Sequence, residues 1–278
     1  MTRRGSLLGH VLRHAVLLAG LVIMLAPFVW MISTSLKPPN EIFSTKLSLL
    51  PTNWAAVENY TKAFTKVPLL RYLLNGVIVT GGIFLLQLLV SLPAAYALAK
   101  LRFKGSDILF TMVLIGLMIP AQAPAIPRYV MLYELGLLDS YAALILPFVF
   151  SAFGIFLMRQ FFRTVPDDLM HAARLDGLGE FEILWRIMLP LAMPAMLAFG
   201  VISIVTHWND FFWPLIVIQT GDLATPPLGT LFFRNEEAGS DFGPLMAGTV
   251  VITAPLILLF LAAQRRFIEG VTLSGMKG

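Results

Sequence analysis

No cysteine occurs among the 278 residues, which excludes disulfides and thiolate metal sites within the chain. Charge is nearly as scarce. Asp, Glu, Lys and Arg make up 13% of the residues against 58% hydrophobic ones, and the mean hydropathy is +0.81. A chain of this composition cannot cover itself with the charged surface of a water-soluble domain. There is no G-x-x-x-x-G-K-[ST] loop, so the chain lacks the backbone cradle and lysine that hold nucleotide phosphates, and no ATP hydrolysis of its own is expected. Neither H-E-x-x-H nor G-x-S-x-G occurs, and His10, His14, His171 and His207 are too scattered to form a clear ligand set. His10 and His14 share a helix face, but on a basic terminus with no carboxylate beside them. The apolar runs hold no paired acid, base or nucleophile, so an intramembrane enzyme is not expected either, and neither metal nor cofactor is implied.

What the chain has instead is long stretches free of Asp, Glu, Lys and Arg. Six of them cover 15–36, 72–99, 108–127, 140–158, 187–209 and 242–264. Each reaches or exceeds the roughly 18 to 20 residues that carry a helix across hydrocarbon. The expectation is an all-α, polytopic membrane protein of six transmembrane helices in a single domain. The first run is read as a retained span, because it is longer than a signal-peptide core and Trp30, Met31 and Ile32 make a poor cleavage site.

Thirteen of the 20 Lys and Arg residues fall on the side that holds both termini and seven on the other, which predicts cytoplasmic termini. The opposing side keeps five cations between Lys37 and Arg71, in a long loop that also carries Glu41 and Glu58. The net charge of +4 is spread along the cytoplasmic rims, where anionic lipid headgroups account for it, so no nucleic acid partner is expected. Within the outer loop, NWAAVENYTKAF reads as a short amphipathic helix at the membrane interface.

Charge gathers at one place between two apolar runs, residues 166–194, PDDLMHAARLDGLGEFEILWRIMLPLAMP. Pro166 suits the first position of a helix, and Asp167 and Asp168 suit its first turn, where carboxylates face the positive end of the helix dipole. Leu169, Ala172, Ala173 and Asp176 recur at spacings of three or four and form a shallow face. Gly177 ends the helix. A second helix starts near Glu180, with Phe181, Leu184, Trp185 and Met188 as an apolar stripe, and runs through Pro190 into the fifth run. The pattern is helix, sharp turn, helix.

At these residues the sequence resembles the membrane-spanning subunits of binding-protein-dependent ABC importers, whose cytoplasmic loop carries Glu-Ala-Ala, a spaced Gly and a following Leu-Pro. Ala172, Ala173, Asp176, Gly177, Phe181, Leu189, Pro190 and Pro194 stand here in that order. The family's usual glutamate is His171 in this chain, so no ion pair through that position is carried over. The resemblance implies a type I ABC importer permease fold and an ATPase-coupling loop over 164–188 that uses His171, Ala172, Ala173, Asp176, Gly177, Phe181 and Pro190. It also implies two cytoplasmic ATPase subunits, an extracytoplasmic solute-binding protein and a second permease subunit, since six spans make half of such a pathway. Residues 136–141, GLLDSY, and the Trp-Asn-Asp of THWNDFFWPL resemble the sugar-type, maltose-transporter-like branch. That implies a bacterial-type inner membrane, a carbohydrate or related polyol solute, and a heterodimer.

Candidates for the solute path are polar groups at membrane depth. Asn75, early in the second run, needs a partner on another helix or a cavity to face. Pro120, Pro124 and Pro127 make an unbroken third helix unlikely, and broken backbone at that depth implies protein or a water-filled cavity beside it, with Gln122 as the polar group. Trp208, Asn209 and Asp210 combine aromatic faces with costly polarity. The rival from another class, a stand-alone secondary transporter or channel, calls for charged residues within the spans, and Asp210 is almost alone there.

Overall fold

The computed structural model describes residues 7–44, 48–235 and 239–275. Arg3, Arg4, Lys46 and Lys277, four of the cations counted above for orientation, lie outside them, as do Glu236 and Glu237 of the outer loop before the last run. The regular structure of the described chain is helical apart from a short antiparallel ladder of two residues on each side, Arg234–Asn235 with Gly239–Ser240. It divides into two compact units, Met1–Leu69 with Thr230–Ala254, and Leu70–Gly229 with Pro255–Gly278.

In the first unit, α1 (Leu7–Ser35) exposes every side chain from residue 9 to residue 30. A helix that is apolar on all sides and covers nothing of its own chain belongs in lipid or against another protein. Its end is held firmly. After the short α2 (Pro39–Ile42), α3 (Ala56–Lys66) brings Asn59 to the end of α1. There the buried Asn59 amide donates to the Ser35 carbonyl at 3.0 Å, one of the acceptors a helix end leaves open, and to the Lys37 carbonyl just beyond it at 2.9 Å. The predicted interfacial helix is thus a cap on α1. A Cβ on Gly243 would come within 2.6 Å of the Asn59 side chain, so glycine there permits the close approach.

The second unit is threaded by α4 (Leu69–Lys100), followed by α5 (Ser106–Met118), α6 (Ala125–Glu134), α7 (Tyr141–Ile145) and α8 (Ala152–Thr164). Beyond them come α9 (Asp167–Leu175), α10 (Glu180–Ile183), a π-helical turn Leu184–Met188, α11 (Leu189–Leu191), α12 (Met193–Trp208), α13 (Phe212–Val217) and α14 (Pro226–Gly229). The last helix, α15 (Phe242–Gly275), passes from the first unit into the second. One core joins Leu92, Tyr96, Met158, Phe162, Met188 and Phe199; a second joins Val79, Ile83, Leu132, Leu144, Trp213 and Val217. Between them on α4 lies a polar layer. Ser203 donates to Gln87 Oε1 at 2.7 Å, and Gln87 Nε2 donates to the Phe148 carbonyl at 2.9 Å and lies 3.3 Å from His207 Nε2. These bonds satisfy polar groups that would otherwise be costly at this depth.

The apolar runs and the helices differ in three places. The third run, 108–127, is helical to Met118, about 20 Å of helix, and again only from Ala125, because Pro120 and Pro124 lack the N–H groups an unbroken ladder needs. The fourth, 140–158, is α7 and α8 with a 45° bend between them, and the fifth, 187–209, crosses a 76° bend between Leu191 and Met193. Among the described residues three helices are long and apolar enough to span a bilayer alone, five if each bent pair counts as one. A count of uncharged residues sees composition but not these breaks.

Candidate coupling elbow and solute cavity

Residues 164–188 form the expected helix, turn, helix, and its turn follows from one glycine. Pro166 precedes α9 with extended backbone (ψ 138°), so it stands just outside the helix and not at its first position. At the other end Gly177 adopts φ +84°, and its N–H bonds Arg174 O while Leu178 N–H reaches back to Ala173 O at 3.0 Å. This is the six-to-one closure that a left-handed residue makes possible. A Cβ on Gly177 would meet nothing within 4 Å. Backbone conformation, not crowding, selects glycine here.

Both ends of α9 are gripped by one face of the last turns of α4. Tyr96 and Lys100, one helical turn apart, supply the grip. Lys100 Nζ donates to Asp167 Oδ1 at 2.7 Å and to the Val165 carbonyl at 2.6 Å, with its own side chain 5% exposed. Tyr96 donates its hydroxyl to Glu180 Oε2 at 2.6 Å, and Arg174 holds the same carboxylate through Nε at 2.7 Å and Nη2 at 3.2 Å. The bonds from Arg174 and then Tyr96 hold the Glu180 carboxyl below its ordinary range, and the Lys100 ammonium does the same for Asp167.

The inner face of α9, Met170 and Ala173, is buried in the core. The sequence pattern had put Ala173 on the outward face with Ala172; the helix phase turns it inward. Leu184 and Met188 are likewise core residues, so the expected stripe with Phe181 is split. The exposed residues of the elbow and its continuation include Leu169, His171, Ala172, Leu175, Asp176, Gly177, Phe181 and Pro190. Leu175 is 89% and Phe181 69% exposed, a large apolar exposure on an otherwise charged loop, which marks a contact surface.

The other polar candidates separate. Asn75 is buried and fully engaged: its amide donates to the Asp222 and Ala224 carbonyls at 3.0 and 2.9 Å and its oxygen accepts from Tyr141 at 2.6 Å. Trp208 is buried, and Asn209 is exposed with its amide on the Val205 carbonyl. Gln122 and Asp210 line one cavity of 290 Å³, together with Arg128, Phe148, Thr206, His207 and Trp213. Arg128 and Phe148 escaped sequence reasoning. The only signal was an arginine directly after the proline-broken third run.

Asn75→Ala leaves two carbonyls and a hydroxyl without their partner, a loss of about 2–4 kcal/mol. The expected result is a fall of several degrees in the apparent Tm of the detergent-solubilised protein; a fastening residue leaves the KM for uptake unchanged, whereas a solute-contacting one raises it.

Residues 87–272 match the family described as binding-protein-dependent transport system inner membrane component. The chain belongs to this family. The permease is 35% identical to the arabinooligosaccharides transport system permease protein AraQ of Halalkalibacterium halodurans, over 91% of each chain. It is 31% identical to the lactose transport system permease protein LacG of Rhizobium radiobacter over 98% of each. It is also 32% identical to the sn-glycerol-3-phosphate transport system permease protein UgpE of Brucella abortus, over 94% of this chain and 95% of that one. Its fold matches a chain of a bacterial ABC transporter that imports the acidic polysaccharide alginate, with a TM-score of 0.84 over 96% of this chain at 24% identity. The permease is therefore an all-helical, multi-pass membrane component of an ABC importer, and membership implies that it works with an ATPase and a solute-binding protein.

Proposed function

We propose that this permease forms half of the pathway of an ATP-driven importer for a carbohydrate or related polyol, without an ATPase site of its own, and takes its force through the elbow 164–188. The observation that carries this is the two-ended grip of α4 on α9. A helix fastened at both ends to a long membrane helix, with Leu175 and Phe181 left open outside, moves α4 when it is pushed. The fifth run receives the push only across the π-helical turn and the 76° bend. The chain is read as six spans with both termini cytoplasmic, the bent pairs and Ser106–Met118 completing the set, and as pairing with a second, different permease subunit and two ATPase subunits. AraQ and LacG, named for oligosaccharide and lactose transport, favour a sugar.

The test is to purify the tagged chain from gently solubilised native membranes and identify what accompanies it by mass spectrometry. An ATPase and a second permease are the expected companions. The chain alone or as a homo-oligomer, with uptake persisting after ATP depletion, overturns the proposal in favour of a secondary carrier.

A further inference from the structure

The 290 Å³ cavity of the second unit carries two opposite charges that do not pair. Arg128 extends its guanidinium over the Phe148 ring, 5.4 Å from the centroid, and among the described residues that guanidinium has neither hydrogen bond nor ion pair. Asp210 accepts the Trp213 N–H at 3.2 Å, which fixes its direction along the start of α13 and leaves acceptor capacity on the carboxylate. An attractive pair sharing a small, partly desolvated space should close into a salt bridge, yet each is tied to its own wall. Thr206 adds a hydroxyl, and Gln122 an amide without a partner among the described residues.

We infer that this cavity is a subsite for one neutral polyhydroxylated ring, gripped between Asp210 and Arg128, and that it selects against anionic solutes; the inference rests on the importer reading above. The chemistry narrows the choice. A carboxylate only accepts hydrogen bonds and a guanidinium only donates them. A hydroxyl does both, so one ring can donate to Asp210 and accept from Arg128 at once. A phosphate or carboxylate satisfies Arg128 but presents only acceptors to Asp210, with like-charge repulsion added. The half-buried Phe148 gives the cavity an apolar patch suited to the C–H groups of a ring. The volume sits at the lower end of the about 300–1,000 Å³ typical of small-molecule pockets, room for one ring of a longer chain.

The test uses the complete transporter in nanodiscs without its binding protein, so that only the membrane subunits can bind, with saturation-transfer NMR as the readout. The probes are methyl glucoside, glucuronate, sn-glycerol-3-phosphate and proline as a zwitterion. Methyl glucoside is expected to bind best, and Arg128→Met and Asp210→Asn each to weaken it about tenfold or more. Ala125→Leu, which fills the cavity without altering its charges, should abolish the signal and covers the case in which a charge variant does not assemble. Preference for an anion or for proline, or methyl glucoside binding unmoved by these variants, overturns the inference. ATP hydrolysis stimulated by the binding protein is measured alongside. If it persists while the subsite fails, the importer reading stands; if the ATPase never associates, that reading fails instead.

Discussion

Gly177→Trp should abolish solute uptake while the chain still inserts, folds and reaches the membrane. The glycine stands at φ +84° with nothing within 4 Å of where a Cβ would go, and it is exposed, so the new side chain starts from the elbow's outer surface. Two effects are combined in that variant, and companion variants separate them. Gly177→Ala adds almost no bulk and isolates the backbone strain of a left-handed non-glycine residue, about 1 kcal/mol. Gly177→Asn adds bulk with a residue that tolerates this conformation. If the elbow docks on an ATPase, uptake by the asparagine variant should fall further than by the alanine variant, and the tryptophan variant should lose at least about thirtyfold, the equivalent of one central contact worth about 2 kcal/mol. Counterflow-free uptake in proteoliposomes, with co-purification of the ATPase as the second readout, decides it. Normal transport by Gly177→Trp refutes the coupling role.

A second large effect is expected at Glu180, the one carboxylate that ties Arg174 at the end of α9 to Tyr96 on α4. Glu180→Gln keeps the shape and removes the charge that makes both bonds strong. The ATPase should still dock and hydrolyse ATP, because Leu175 and Phe181 are untouched, but solute moved per ATP should drop about tenfold as the grip on α4 loosens. A merely structural role would lower the amount of transporter and leave that ratio alone. The exchanged pair Arg174→Glu with Glu180→Arg should recover part of the ratio, since the two residues face each other. The pH dependence follows from the sign of the shift. The folded carboxyl lies below its unfolded value, so its contribution is fully present above the unfolded pKa of about 4.3 and is lost as pH falls through the folded value. The coupling ratio should therefore be flat from about pH 5.5 to 8.

The elbow shows how much of a site local chemistry can announce. Asp167 and Asp168 in a first turn, Gly177 at a left-handed stop and a fresh start at Glu180 are rules acting over a few residues, and the helices begin and end where those rules put them. The cavity was only half legible. Gln122 and Asp210 stood out as polar groups in apolar surroundings, whereas Arg128 looked like one more rim cation and Phe148 like ordinary span filler. They meet only because α6, the chain around Phe148 and the segment leading into α13 converge from distant parts of the chain, which no periodicity records.

Composition alone determined that this protein lives in a membrane and is helical, because apolar runs of that length leave the backbone no other way to satisfy its hydrogen bonds. The sequence also determined the elbow's turn and the place where the third helix breaks, since glycine and proline act through their own backbone geometry. Tertiary structure decided the rest. It turned Ala173 inward and left Leu175 outside, bent the fourth and fifth runs, spent Asn75 on fastening, and held Arg128 and Asp210 unpaired in one cavity. Those outcomes depend on which side chain from a distant segment arrives first at each polar group or gap, and that is a property of packing, not of any stretch of chain taken alone.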